Sequence, residues 1–427
     1  MDLVAVEPDP LKFTRATIAG AGLAGLSAAV ALRRAGLAVA ISDSAAQAGG
    51  RCRSYHDPQL DMVIDNGNHL VLSGNVAVAR FRKAIGATAP LGGPKEAVFA
   101  FRDMRDGSAW TIRINKGRIP WWLLSKRRRV PGTRLRDYLK FKALLSIQYN
   151  SVDDYVITTG PVWDKLLEPV LLAVLNTPPA KGASRLVSNV MRETMARGGG
   201  AMQPRIAEPT LGAAFIDPAL AWLAAQGSPV ASGRRLQAIA FSEGRAVGLD
   251  WGEGSEPVAA DEAVVLAVPP WVASDLVPDI NTPDRFCPIV NAHFAFEAPA
   301  GTPQILGLLG ATAEWLFALP DRISVTVSCA DRLVNMDRET LARVFWADIQ
   351  AAYGITAEMP VWQVVKEKRA TFAATQGQDF KRPVSATRWR NLFLAGDWVQ
   401  TGLPATIEGA LRSGETAARL VAAARWR

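Results

Sequence analysis

The chain has 427 residues, 49% hydrophobic and 21% charged, so it exceeds one ordinary domain and carries too much apolar surface to stay disordered. Its 48 Lys and Arg against 40 Asp and Glu leave a net charge of +8, which suits nucleic acid, anionic lipid or a phosphate-bearing cofactor without choosing among them. Cys52, Cys287 and Cys329 show no short metal-ligand spacing, which argues against a disulfide framework or a metal site and for a reducing, cytoplasmic compartment.

Residues 1–14 place acids and prolines where a secretory signal needs a basic start and an unbroken apolar core. No apolar run reaches the about 18 residues of a spanning helix, so none is expected. An apolar segment, Ala16 to Ala21, reads as a strand running into Gly20-Ala21-Gly22-Leu23-Ala24-Gly25, and Leu23 to Ala35 follow as a helix rich in Ala and Leu. Arg33 and Arg34 fall in its last turn, and Gly36 sits where a left-handed cap belongs. A second strand, Leu37 to Ile41, leads to Asp43 and Ser44.

These parts fit a dinucleotide site. A pyrophosphate lies against the bare amides of Gly20, Gly22, Leu23, Ala24 and Gly25 at the positive end of a helix. A side chain at Gly20 or Gly22 would block it, and Gly25 permits close packing of helix on strand. Asp43 stands about 20 residues on, where an acid accepts hydrogen bonds from ribose hydroxyls. The competing reading, a Gly/Ala-rich turn before a tightly packed helix, leaves Asp43 unaccounted for.

Beyond the acid, Gly49-Gly50-Arg51 again exposes backbone, beside an arginine suited to phosphate; this continuation favours FAD over NAD. After a strand from Met62 to Ile64 comes Asp65-Asn66-Gly67-Asn68-His69. There Asn66, Gly67 and Asn68 fit a loop passing near a planar ring, with a plain polar turn as the alternative. The apolar stretch Ile119 to Leu124 precedes the cationic run Lys126 to Arg129. Ser232 to Ile239, with Leu236 at the cofactor, and Ala263 to Pro270 read as further strands of the nucleotide unit. Near the end, an apolar strand from Asn391 delivers Gly396 and Asp397 to a cofactor hydroxyl. The helix starting at Thr406 and Ile407 offers free N–H groups to the negative charge of a reduced flavin. The expected fold is α/β: a Rossmann-type FAD-binding domain assembled from separated segments, 1–75, 205–279 and 385–427, with an inserted α+β substrate domain from 76–204 and 280–384.

Gly20 to Gly25, Gly49 to Arg51, Ala267-Val268-Pro269-Pro270, and Leu394-Ala395-Gly396-Asp397 with Glu408-Gly409-Ala410 together resemble the flavin amine oxidase and phytoene desaturase superfamily over nearly the whole chain. Within it, Asp65 to Gly74, Leu175 to Pro179 with Ala183-Ser184, and Cys287 to His293 resemble the hydroxysqualene dehydroxylases of bacterial hopanoid pathways, also called squalene-associated FAD-dependent desaturases. The resemblance implies FAD as cofactor and a reaction in which reduced flavin replaces the hydroxyl of hydroxysqualene with hydride, giving squalene. Amine oxidases usually carry a flavin-facing Lys soon after the Val-Pro-Pro strand; Trp271 to Phe296 contains none, which disfavours amine oxidation. A carotenoid-type isoprenoid desaturase or isomerase is the nearest alternative, and a non-catalytic flavin-stabilised isoprenoid-binding protein is another.

Under this resemblance, loss of the hydroxyl needs an acid. Among His56, His69 and His293, the first choice is His69, which follows the flavin-proximal loop, and the second is His293, which alternates with Asn291 on a strand. Plain hydrogen bonding by His69 and a satisfied core position for His293 are the alternatives. Asp153 and Asp154 are a third option, against a solvated loop. A lipid-soluble substrate calls for peripheral contact with a bilayer, so segment 116–130, with Trp121, Trp122 and its cations, reads as a contact with the anionic inner face of the cytoplasmic membrane. No nucleic-acid fold accompanies these cations, so no nucleic-acid partner is expected. The electron donor is left open.

Overall fold

Five short parallel strands lie side by side in the order Val230–Ser232, Ala38–Asp43, Arg15–Ala19, Glu262–Leu266 and Leu392–Leu394. This computed structural model describes residues 11–426, so the first ten residues of the lead-in read above lie outside the described residues. Ile18 pairs with Ile41 on one side and Val265 on the other, and Ile18, Val264 and Val265 have no exposed surface. Burial on both faces is what a parallel sheet covered by helices requires. Three distant stretches of chain build this sheet, as the separated motifs predict.

The first strand stops at Ala19 because Gly20, at φ 103°, turns the chain toward the helix Leu23–Arg34. The second runs through Asp43, which stands at the strand's end as the sequence places it. The strand expected over Ser232 to Ile239 is broken. Gly233, at φ 74°, diverts the chain after Ser232, and Ala238–Ser242 pairs instead with Arg245–Asp250 in a separate antiparallel sheet. The expected strand from Ala263 likewise ends at Leu266, and a helix, Pro270–Leu276, begins with proline at its first position, where a missing N–H costs nothing.

Helix Leu23–Arg34 packs on the C-terminal helix Ile407–Ala423 closely enough that a methyl at Gly414 would stand 2.2 Å from the Ala24 carbonyl. The Ser27 hydroxyl donates across the seam to the Leu411 carbonyl at 2.9 Å. Thr406 caps the C-terminal helix by accepting from the Gly409 N–H at 3.1 Å. Buried Glu408, in its first turn, accepts from Ala77 N–H at 2.9 Å and Val78 N–H at 3.0 Å, so it closes the start of helix Val76–Ala84. The last segment of the chain therefore caps the helix that leads out of the first.

A seven-stranded sheet forms the second body, in the order Trp362–Phe372, Phe286–Phe294, Ile323–Val327, Trp315–Ala318, Ile305–Leu309, Ala97–Asp103 and Ala109–Ile114. Its one parallel pairing, Ile305–Leu309 with Ala97–Asp103, joins strands from the two insertions. Helix Arg338–Tyr353 buries Leu341, Phe345 and Ile349, one helical stripe, in a core with Val290, Phe294, Val325 and Val327. Its N-terminus is capped by Asp337, which accepts from Thr340 N–H at 2.8 Å.

Candidate flavin site

Three glycines after the first strand are bare for different reasons. A Cβ at Gly20 would stand 2.4 Å from the Ala267 carbonyl oxygen, and one at Gly25 would stand 1.9 Å from that of Gly20, so the fold itself forbids side chains there. At Gly22, with an ordinary φ of −72°, a Cβ would meet no heavy atom within 4 Å. The protein does not need Gly22 to be bare; a ligand approaching the backbone does. Gly22 starts helix Leu23–Arg34 with no side-chain cap and no acid in the first turn, so the amides of Leu23, Ala24 and Gly25 keep their pull on an anion. The second glycine loop lies against the first. Gly49 N–H donates to the Ala21 carbonyl at 2.9 Å, and a Cβ at Gly50 would be 3.5 Å from the Gly22 Cα. Asp43 braces this cradle, accepting from Ala21 N–H at 2.7 Å and Ala45 N–H at 2.9 Å, beside exposed Ser44. Leu236 packs its side chain into the core with Leu249 and Trp251.

The far end of the chain closes the site. Gly396 N–H donates to the Ser413 hydroxyl at 2.7 Å, and the Asp397 carboxylate accepts from Arg51 Nη2 at 2.7 Å. Arg51 also donates to the Ala370 carbonyl, so one guanidinium holds together three separated segments. Behind Asp397, fully buried Arg382 donates to the carbonyls of Asp397, Trp398 and Val399 at 3.1, 3.2 and 2.7 Å and pairs with Asp379 at 3.0 Å. No motif marks Arg382, whose role depends on a loop that folds back onto it.

Loop Asn66–His69 lies between this closure and the seven-stranded sheet. A Cβ at Gly67 would be 2.9 Å from Asn291 Nδ2, and Asn68 Nδ2 donates to the Thr326 hydroxyl at 3.2 Å. Asn66 is buried, with Nδ2 3.4 Å from a Glu367 carboxylate oxygen. Asp65 anchors the loop, accepting from the Ser54 hydroxyl and from Leu211 N–H at 2.9 Å; burial pushes its carboxyl up to about 6. The half-buried His69 imidazole is lowered to about 4 by burial and the Arg51 charge, partly offset by Asp397. A ring lowered that far is predominantly neutral at pH 7. His69 therefore stands in the field of the Arg51–Asp397 pair as a neutral ring. His293 is fully buried, its Nδ1 2.8 Å from the Ser324 hydroxyl, and burial lowers it to about 3. Asp153 pairs with surface Lys181 at 2.6 Å and Asp154 accepts from Ser151 N–H at 2.8 Å, which is the solvated-loop arrangement.

The tryptophans of segment 116–130 part company. Trp121 is 56% exposed, with Arg128 over its ring at 5.8 Å, whereas Trp122 is 3% exposed and meets Tyr138 edge-on at 5.7 Å. The expectation that both rings face a membrane is corrected for Trp122, which belongs to the core. Ile119 and Leu124 join Trp121 on the surface. Among the described residues no helix is long and apolar enough to cross a membrane.

A crevice at the carboxyl ends of parallel strands, floored by a bare helix start, is where α/β folds bind dinucleotides, and the chain is a flavoprotein of that class. It belongs to the flavin containing amine oxidoreductase family, whose pattern matches residues 23–422. It is 48% identical over 404 residues to the hydroxysqualene dehydroxylase of Zymomonas mobilis, covering 94% of this chain and 98% of that one. It is 47% identical over 409 residues to the hydroxysqualene dehydroxylase of Rhodopseudomonas palustris, covering 95% and 98%. Among solved structures it is similar to cyclohexylamine oxidase from Brevibacterium oxydans, with TM-score 0.70, 15% identity and 97% and 99% coverage. It is also similar to an oxidoreductase from Methanosarcina mazei, with TM-score 0.71, 15% identity and 94% and 98% coverage. These two likenesses are likenesses of fold.

Proposed function

We propose that this chain is an FAD-dependent enzyme that converts hydroxysqualene to squalene. The observation that carries the reading is the meeting, at one crevice, of the Gly22 cradle with neutral His69, Arg51 and Asp397, in a chain aligned almost end to end with hydroxysqualene dehydroxylases.

When bound, reduced flavin would supply the hydride that replaces the hydroxyl and, as FADH2, the proton with which that hydroxyl leaves as water. The amides of Gly22 to Gly25 hold the pyrophosphate, Asp43 a ribose hydroxyl, and Asp397 with Arg51 the flavin side, while the start of the helix at Thr406 and Ile407 faces negative charge. His69, neutral at pH 7, donates its single ring N–H to the substrate hydroxyl and fixes its direction. Fully buried His293, tied to the Ser324 hydroxyl, stays in the core. The substrate dissolves in lipid, and Ile119, Trp121 and Leu124, ringed by Lys116, Arg118 and Lys126 to Arg129, form a contact for an anionic bilayer.

The test is anaerobic mixing of chemically reduced, flavin-loaded protein with hydroxysqualene. Flavin reoxidation with stoichiometric squalene is expected. Another product would assign a desaturase or isomerase, and unchanged flavin a binding protein. In the same assay His69→Ala should retain flavin yet slow reoxidation by about a hundredfold. Because the wild-type ring is already neutral above its lowered pKa, the rate should stay flat from pH 5 to pH 8; an imidazolium donor would instead give a rate that climbs as pH falls.

A further inference from the structure

Away from the crevice two cysteines meet. The ladder between Phe286–Phe294 and Ile323–Val327 ends at Val290 paired with Val327, and the two chains run on from that end to Cys287 and Cys329. A single carboxamide holds the two backbones together: Asn176 Nδ2 donates to the Cys287 carbonyl at 3.0 Å, and its Oδ1 accepts from Cys329 N–H. The Cys329 thiol donates to the Asp331 carboxylate at 3.7 Å and lies near enough to Cys287 to shift its acidity. The Thr177 hydroxyl lies 3.7 Å from the Cys287 sulfur. Cys329 is a non-glycine residue in the left-handed region, φ 44° and ψ 48°, a conformation that persists only where its surroundings over-determine it. The neighbouring Cys329 thiol lowers the Cys287 thiol, whereas Cys329 is raised by Cys287, burial and Asp331. Cys287, the more acidic of the two, is buried, and the half-buried Cys329 stands beside it.

We propose that Cys287 and Cys329 are a reversible disulfide site, a dithiol oxidised by hydrogen peroxide and restored by a thiol reductant. The Cys287 sulfur attacks the peroxide O–O bond, giving a sulfenic acid and one water. The Cys329 sulfur then displaces the sulfenic hydroxyl, forming the S–S bond and a second water, so both thiol protons leave in water and two electrons pass to peroxide. Cys52, buried in the turn Gly50–Cys52, has no part in it. In a reducing compartment such a bond is transient and reports oxidant.

The experiment exposes flavin-loaded protein to a few equivalents of hydrogen peroxide, followed by denaturing alkylation, intact mass and a non-reducing peptide map. The expected result is loss of two hydrogen atoms, one linked peptide pair containing Cys287 and Cys329, alkylation of Cys52 alone, and full reversal by dithiothreitol. Cys287→Ser and Cys329→Ser should each abolish the link, and the wild-type map decides the matter even if a variant folds poorly. Alkylation of all three cysteines after peroxide, or oxygen added to one sulfur with no link, would overturn the proposal.

Discussion

At Gly25 a methyl group would stand 1.9 Å from the Gly20 carbonyl, whereas at Gly22 it would meet nothing within 4 Å. The two positions look alike in the motif, but only one is demanded by the fold. Gly25→Ala should cost about 3 kcal/mol or more through overpacking against backbone, and yield little folded protein. Gly22→Ala should melt within about 0.5 kcal/mol of wild type yet bind flavin on the order of a hundredfold more weakly, because its methyl occupies the phosphate position. Absorbance of the purified protein near the flavin band and a fluorescence titration read the second effect. Wild-type affinity in Gly22→Ala would place the pyrophosphate elsewhere. Such glycines are legible in sequence because their role is steric and local. Asp65 and Arg382 are not, since Leu211 and the carbonyls of 397–399 reach them only after distant segments have met. His69 was visible as a candidate, but its neutral state comes from Arg51 and burial, which spacing does not encode.

At the scale of elements, the helix after the glycine loop was readable from its start signal, its terminal arginines and its following Gly36, and the structure ends it at Arg34. Ser232 to Ile239 was misread because residue type alone does not reveal that Gly233 adopts a left-handed turn within it. The same local geometry sorts the tryptophans. Residues Trp121–Leu124 form a 3₁₀ turn, in which positions three apart share a face. Trp121 and Leu124 therefore point outward while Trp122 and Leu123 point inward. A Trp121→Ala/Leu124→Ser double variant should melt like wild type but sediment far less with vesicles containing phosphatidylserine, more so as salt rises and screens the neighbouring cations. Trp122→Ala should instead lose about 3–5 kcal/mol of stability, the scale for truncating a buried aromatic ring. Equal vesicle binding by the double variant would remove this face from the membrane contact.

For the whole molecule, the decisive feature is that the cradle and its closure come from opposite ends of the chain. Gly22 and Asp43 belong to the first segment, Asp397 to the last, and Arg51, the Glu408 cap, the Arg80–Glu415 pair and the seam at Gly414 are among the contacts that tie the ends directly. The separated-segment plan could be read because each segment carries its own backbone motif. The seven-stranded sheet could not, because its joining pair, Ile305–Leu309 with Ala97–Asp103, is a long-range choice that no local pattern specifies. A ligand spanning Gly22, Asp43, Arg51 and Asp397 binds the assembled state alone, so flavin at a hundred times its dissociation constant should stabilise that state by about 2.7 kcal/mol. Stripping the cofactor should therefore lower the melting temperature by several degrees and expose the 385–427 segment to protease first, since its strand is an outer one of the parallel sheet. Restoring FAD should recover the melting temperature, whereas FMN, which lacks the adenosine half that we assign to Asp43, should recover only part of it. Equal stabilisation by the two flavins would mean that the first glycine loop does not share the load with Asp397, and the two ends of the chain would have to be joined by packing alone.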